Sequence, residues 1–232
     1  MWKYFQYTHR LFQVTILYFL IHAPTNVQAS PVNAQELKSL LNATQNATNA
    51  LKTSVPTARI IERGSQRTPR LALHLNLPLP GETVQERAQA FIHRFQGLWY
   101  HVDVQVTDVS QSKGRQVAHL KGKVNGLTVL NGDARLTFND QGLLLNMSNG
   151  LPPVATFTPA LLEESQAIAK LKAGLALNTD VSLTVDRGVV AIEDQAIEVF
   201  VTRVALDPKK PMEFWIDGRD GSILRQKEGG LR

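Results

Sequence analysis

The feature that most constrains this chain is a repeated order of periodicities. A stretch with apolar residues at helical spacing leads into several short alternating runs divided by turn residues, and then the same order begins again. In the first pass, residues 34–52 place Leu37, Leu40, Leu41, Thr44, Ala47 or Thr48, and Leu51 on one helical face after Asn33 as cap. Residues 58–61 and Leu71, Leu73, Leu75 and Leu77 alternate around Gly64-Ser65-Gln66 and predict a hairpin, closed by Pro78, Pro80 and Gly81. Thr83 and Glu86 then form the two halves of a capping box for a helix over 84–98, with Val84, Ala88, Phe91, Ile92 and Phe95 as its apolar face. Four strand-like runs follow at 102–109, 116–124, 127–138 and 143–148. Lys113-Gly114, Asn125-Gly126 and the turn 139–142 separate them, so an antiparallel meander under a helix is expected.

Leu151-Pro152-Pro153 reads as a linker, since two prolines stop a strand without starting a helix. Beyond it Thr158 is the expected cap and Pro159 the first helical residue, with Glu163 and Glu164 in the first turn. Leu161, Leu162, Ile168, Leu171 and Leu175 form the expected buried stripe. Strands are expected at 181–186, 189–192, 196–206, 212–216 and 222–226, the last after a hairpin turn at 217–221. The class is therefore α+β, as two modules, each a helix packed on an antiparallel β-sheet.

The first 29 residues have a different character. Lys3 and Arg10 charge the head, an apolar run of about 13 residues follows, and Val27-Gln28-Ala29 offers small residues for cleavage. The run falls short of the roughly 20 residues a spanning helix needs, so 1–29 is expected to be a secretory signal peptide and no membrane attachment is expected after cleavage. The modules are then 30–153 and 154–232. Losing Lys3 and Arg10 lowers the formal charge from +5 to +3. The remaining Lys and Arg are scattered, with Lys209-Lys210 the one adjacent pair, and no nucleic-acid partner is expected. A cysteine count of 0 removes disulfides, thiol nucleophiles and thiolate metal sites. Asn42, Asn46 and Asn146 stand in glycosylation sequons, which matter in a eukaryotic host.

Chemistry is sparse. The six histidines (9, 22, 74, 93, 101 and 119) include no pair four apart on a helix, so no HExxH zinc site, and no metal or other cofactor, is expected. There is no GxSxG elbow, and the paired carboxylates Glu163-Glu164 and Glu82 with Glu86 sit where a helix dipole already explains them. The turn 217–221 lacks the ligand alternation and terminal Glu of a calcium loop. Trp99 is expected to bury beside Leu98 rather than to form an exposed patch with Tyr100 and His101.

Residues 83–153 resemble the fungalysin/thermolysin propeptide motif of secreted thermolysin-like zinc proteases. The matching pieces are Ala90-Phe91 with Leu98, Val117-Ala118-His119-Leu120, the segment from Gly126 to Gly132, and the run from Ala134 through the turn 139–142. Thr128 stands where that family has proline, and Lys121 and Lys123 replace a Gln-rich strand end. Residues 158–227 look like a PepSY module, through Ala167, Ala169, Glu213-Phe214-Trp215-Ile216-Asp217 and the turn into Ser222-Ile223-Leu224. The resemblance implies an intramolecular chaperone and inhibitor that covers a protease cleft by shape and strand addition, with no catalytic residues of its own. A chain ending at Gly229-Gly230-Leu231-Arg232, where that family's catalytic domain would start, is expected to be non-enzymatic. The expected partner is a secreted thermolysin-like metalloprotease, and the expected location the extracellular space, the periplasm or the cell envelope. Candidate partner contacts are Gly126, Leu127, Val129 and Leu130 in one hairpin and Gly229, Gly230, Leu231 and Arg232 in the tail. Two alternatives stand beside this: an envelope-binding or structural PepSY module, and a truncated protease precursor.

Overall fold

Three helices and two antiparallel-rich sheets make up the α+β fold of the computed structural model, which describes residues 34–63, 68–178, 183–207 and 210–228. Helix α1 (Ala34–Ser54) turns Leu40, Thr44, Thr48 and Leu51 to one side, spaced three or four apart as a single buried face requires. Its neighbour is the short 3-10 turn Gln96–Trp99. The approach is close because Gly97 has no side chain: a Cβ there would lie 2.6 Å from the Ala43 carbonyl oxygen. Thr44 Oγ1 uses the proximity to donate to the Gly97 carbonyl at 3.0 Å.

Helix α2 (Val84–Arg94) starts on the expected capping box. Glu86 N–H donates to Thr83 Oγ1 at 3.2 Å, and Thr83 N–H donates to Glu86 Oε2 at 3.0 Å. The helix was expected to reach Leu98 but stops at its C-cap Phe95 and tightens into the 3-10 turn, which seats Leu98 and Trp99 in the core. Phe91 and Phe95 stack at 4.9 Å between centroids, with Trp99 edge-on to Phe91. Tyr100 and His101 then take left-handed backbone angles, φ 48° and 61°, and reverse the chain into the next strand.

The first sheet contains β1 (Arg59–Arg63), β2 (Thr68–Leu73), β3 (Asp103–Ser112), β4 (Arg115–Val124), β5 (Leu127–Thr128), β6 (Ala134–Asn139) and β7 (Leu144–Asn149), in the order β1-β2-β7-β6-β4-β3 with β5 on β4. The expected meander is β3-β4-β6-β7. The N-terminal hairpin extends it by pairing Leu71 with Ser148 and Ala72 with Met147. Period-2 alternation sends Ala118, Leu120, Leu136, Phe138 and Leu144 inward to meet α2.

The second sheet is built on the long β10 (Gln195–Asp207). β9 (Val185–Ile192) runs along one side of β10; β11 (Lys210–Asp217) and the parallel β8 (Thr156–Thr158) occupy the other, with β12 (Ile223–Glu228) outside β11. Helix α3 (Glu164–Gly174) lays Ala167 and Leu171 over Phe200, Val204, Phe214 and Ile216. Its start differs from expectation. Thr158 lies in β8, and the N-cap is Glu163 in a capping box with Gln166. The reason is tertiary: Thr158 is paired with Ile197 of β10, and Leu162 N–H, which a helix starting at Pro159 would turn back to the Thr158 carbonyl, donates instead to the Gly218 carbonyl at 2.9 Å; Leu161 N–H shares that acceptor at 2.9 Å and Ala160 N–H donates to Glu198 Oε2 at 3.0 Å. Leu161, expected to be buried, is 55% exposed.

The two sheets share one core. Leu151 and Val154, either side of Pro152-Pro153, are buried in the same cluster as Val129, Val189, Ala191 and Ala196, so the expected linker is packed rather than free. Residues 129–131 join the outer edge of β9. Leu130 N–H donates to the Val189 carbonyl at 2.8 Å, while the Asn131 side-chain amide donates to the Ala191 carbonyl at 2.6 Å and accepts from its N–H at 3.1 Å. Asn131 thus supplies with its side chain the donor and acceptor that another strand would supply with its backbone. All described residues fall in one compact unit, Val32–Arg232.

Candidate partner-binding face

Successive residues of β11 point to opposite sides of the second sheet. Phe214 and Ile216 face α3, so Glu213, Trp215 and Asp217 face away from it. The register places Arg203 of β10 opposite Glu213 and Val201 opposite Trp215; on the other flank, Lys227 and Arg225 of β12 stand opposite Glu213 and Trp215. Residues separated by more than 20 positions in sequence therefore form one cluster.

Glu213 is its centre. The side chain is 8% exposed and accepts four hydrogen bonds: from Arg203 Nε at 3.2 Å and Nη2 at 3.1 Å, from Lys227 Nζ at 2.8 Å, and from Trp215 Nε1 at 2.8 Å. Burial alone would raise this carboxyl. The bonds from Lys227, Trp215 and Arg203, together with the Lys227 charge, outweigh it and bring the pKa down to about 2. The Trp215 ring carries the Arg225 guanidinium 4.7 Å from its centroid and Lys227 Nζ at 5.6 Å. Val190, Val199 and Val201 bury against the same ring, closed at the side by Leu130 and Leu224. The outer layer is cationic and wet: Arg203 is 68% exposed and Lys227 42%. Asp217 is tied to Arg219 by a two-pronged pair at 3.0 and 2.7 Å, and Asp186, across Val201 on β9, bounds the patch on its far side.

The two edges of this sheet differ. The outer edge of β9 is taken up by Leu130 and Asn131, whereas no strand pairs with the outer edge of β12 among the described residues. The exposed backbone of β12 can accept an added strand.

Of the residues expected to meet a partner, Gly126 is exposed in a two-residue turn with Asn125, at φ 79° and 49°, and Leu127 is half-buried in β5. Val129 is completely buried and Leu130 packs on Gly188 and the Val190–Val199 cluster, because the joint between the sheets consumes both. Gly229, Gly230, Leu231 and Arg232 lie outside the described residues, as does the leader 1–29. Sequence reasoning used Trp215 and Glu213 as motif residues but missed Arg203, Arg225 and Lys227, whose meeting depends on strand register.

Two other groupings bring polar side chains together. Ser110 Oγ and His119 Nε2 lie 2.8 Å apart on the outer face of the first sheet, with Asp108 across from His119 on β3 and Arg135 across from it on β6, but among the described residues no carboxylate bonds the His119 ring to orient it. Between α2 and β3 runs a groove of about 420 Å³ lined by Ile92, His93, Trp99 and Val104. The Trp99 Nε1 and Tyr100 hydroxyl nearby are buried without a hydrogen-bond partner among the described residues, and burial followed by the charge of Asp194 raises the Tyr100 phenol. Among the described residues, no group of three or more His, Cys, Asp or Glu is placed to hold a metal ion, and no helix is long and apolar enough to cross a membrane.

No family model matches the chain, and no curated protein matches it significantly. Among solved structures it is similar to the Bacillus megaterium YpeB C-terminal domain, at 9% identity over 81% of this chain and 97% of that one, with a TM-score of 0.40. A likeness at that level carries no weight for function.

Proposed function

We propose that this chain is a secreted, non-catalytic, propeptide-like protein that binds a thermolysin-like metalloprotease and inhibits it or assists its folding. The resemblance of 83–153 and 158–227 to the paired modules of such pro-regions motivates the reading. The observation that carries it is the outer edge of β12 beside the Trp215 face, unpaired among the described residues, a surface suited to strand addition and placed directly before Gly229 in sequence. Recognition on such a surface rests on backbone pairing and shape and needs no reactive residue.

The test is to mix the exported chain with a thermolysin-like protease from the same source and follow peptide cleavage, and separately to refold the denatured protease with and without the chain. Slowed cleavage or raised recovery of active protease is expected. Neither effect at protein excess refutes the reading, and a pull-down dominated by envelope polymer would replace it with an envelope-binding role.

A further inference from the structure

Resting on the binding role just proposed, we infer that the Trp215 face and the β12 edge recognise an acidic, extended peptide segment of the partner. Three cations, Arg203, Arg225 and Lys227, surround the buried carboxylate of Glu213; Asp217 is already neutralised by Arg219 and Asp186 lies beyond Val201, so the rim keeps an excess of positive charge. Arg203 and Lys227 are already directed at Glu213. Arg225 is not: its guanidinium lies over the indole, and among the described residues no carboxylate pairs with it. A guanidinium held against a ring by its charge keeps N–H donors that a carboxylate can take with two parallel bonds.

The open edge says what shape the carboxylate arrives on. A strand added outside β12 pairs with its free backbone groups, and its alternate side chains fall on the same face as Arg225 and Lys227, about 5 Å from them across the pair. Acidic residues at alternate positions meet both cations, and the residues between them point to the other face. A peptide with acidic residues at alternate positions is therefore the matching occupant. A lipid surface or a flexible polyanion would use the charges but not the edge.

The experiment titrates the full chain with a short synthetic peptide alternating glutamate with valine, and with its lysine–valine counterpart, following Trp215 and the β12 amides by NMR. The acidic peptide is expected to bind at least about tenfold more tightly than the basic one. It should shift the Trp215 indole and the β12 amides together, and weaken at least about tenfold between low and high ionic strength. Arg225→Glu should lose about tenfold in affinity while keeping the wild-type fold, since the pairing of β12 with β11 uses the Arg225 backbone and not its side chain; Arg225→Gln supplies the milder loss should the reversal unfold the chain. Equal affinity for both peptides, indifference to salt, or unchanged binding by the Arg225 variants overturns the inference, as does tighter binding to anionic phospholipid vesicles than to the peptide. Protease inhibition without peptide binding sinks this inference and leaves the propeptide-like reading standing. Peptide binding with no effect on protease activity or refolding supports the inference and removes that reading.

Discussion

Replacing Glu213 by glutamine tests the electrostatics of the cluster through its pH dependence. The carboxylate accepts four hydrogen bonds at 8% exposure, which lowers its pKa from an ordinary 4.5 to about 2. At about 1.4 kcal/mol per tenfold change in proton affinity, this corresponds to about 3 kcal/mol of preference for the ionised form in the folded state. Arg203 and Lys227 are substantially solvent-exposed, and screening brings the expected value to about 2 kcal/mol. The folded pKa lies below the unfolded one, so the stabilisation is fully present above about pH 4.5 and is lost as pH falls through about 2. Urea unfolding of wild type and Glu213→Gln should therefore show the variant weaker by about 2 kcal/mol at pH 7, with the gap closing between pH 4.5 and 2. The amide keeps an acceptor for Trp215 Nε1, and the other carboxyls titrate alike in both proteins and cancel. A gap that stays constant through that window, or no gap at pH 7, refutes the assignment of Glu213 as an ionised centre stabilised by its cations.

Asn131→Ala should lose about 2 kcal/mol in the same assay, because it leaves the buried Ala191 N–H and C=O unpaired, and amide exchange at Ala191 should rise out of proportion to the rest of β9. In Gly97→Ala the new methyl group meets the Ala43 carbonyl at 2.6 Å and Ala47 Cβ at 3.0 Å, both on α1; the expected outcome is a loss of about 2 kcal/mol with faster exchange along α1 than along α2. Thr83→Ala removes the acceptor for Glu86 N–H and should cost about 1 kcal/mol, read as a lowered urea midpoint with an unchanged slope.

Much of the fold was legible because its signals are local. The Thr83–Glu86 capping box and the turns at Gly114, Gly126, Gly142 and Gly221 depend on neighbours within four residues, and all appear where the pattern placed them. The start of α3 was misread for the complementary reason. Thr158-Pro159 is a sound local start, but Ile197 and Gly218, about 40 to 60 residues away, hold Thr158 in a strand and take the Leu162 amide, and the helix waits for Glu163. Pro152-Pro153 likewise looks like a spacer until its flanking Leu151 and Val154 are seen in the shared core.

The sequence by itself determined the α+β class, the helix-then-strands order and the positions of most strands, since periodicity and turn chemistry act over a few residues at a time. Only the tertiary structure decided what those strands do together. The register of β10, β11 and β12 assembles Arg203, Glu213, Trp215, Arg225 and Lys227 into one charged face, and the β9 edge recruits Val129, Leu130 and Asn131 into a joint. Both outcomes rest on pairings between distant segments, where a slip of one residue would send every side chain to the opposite face.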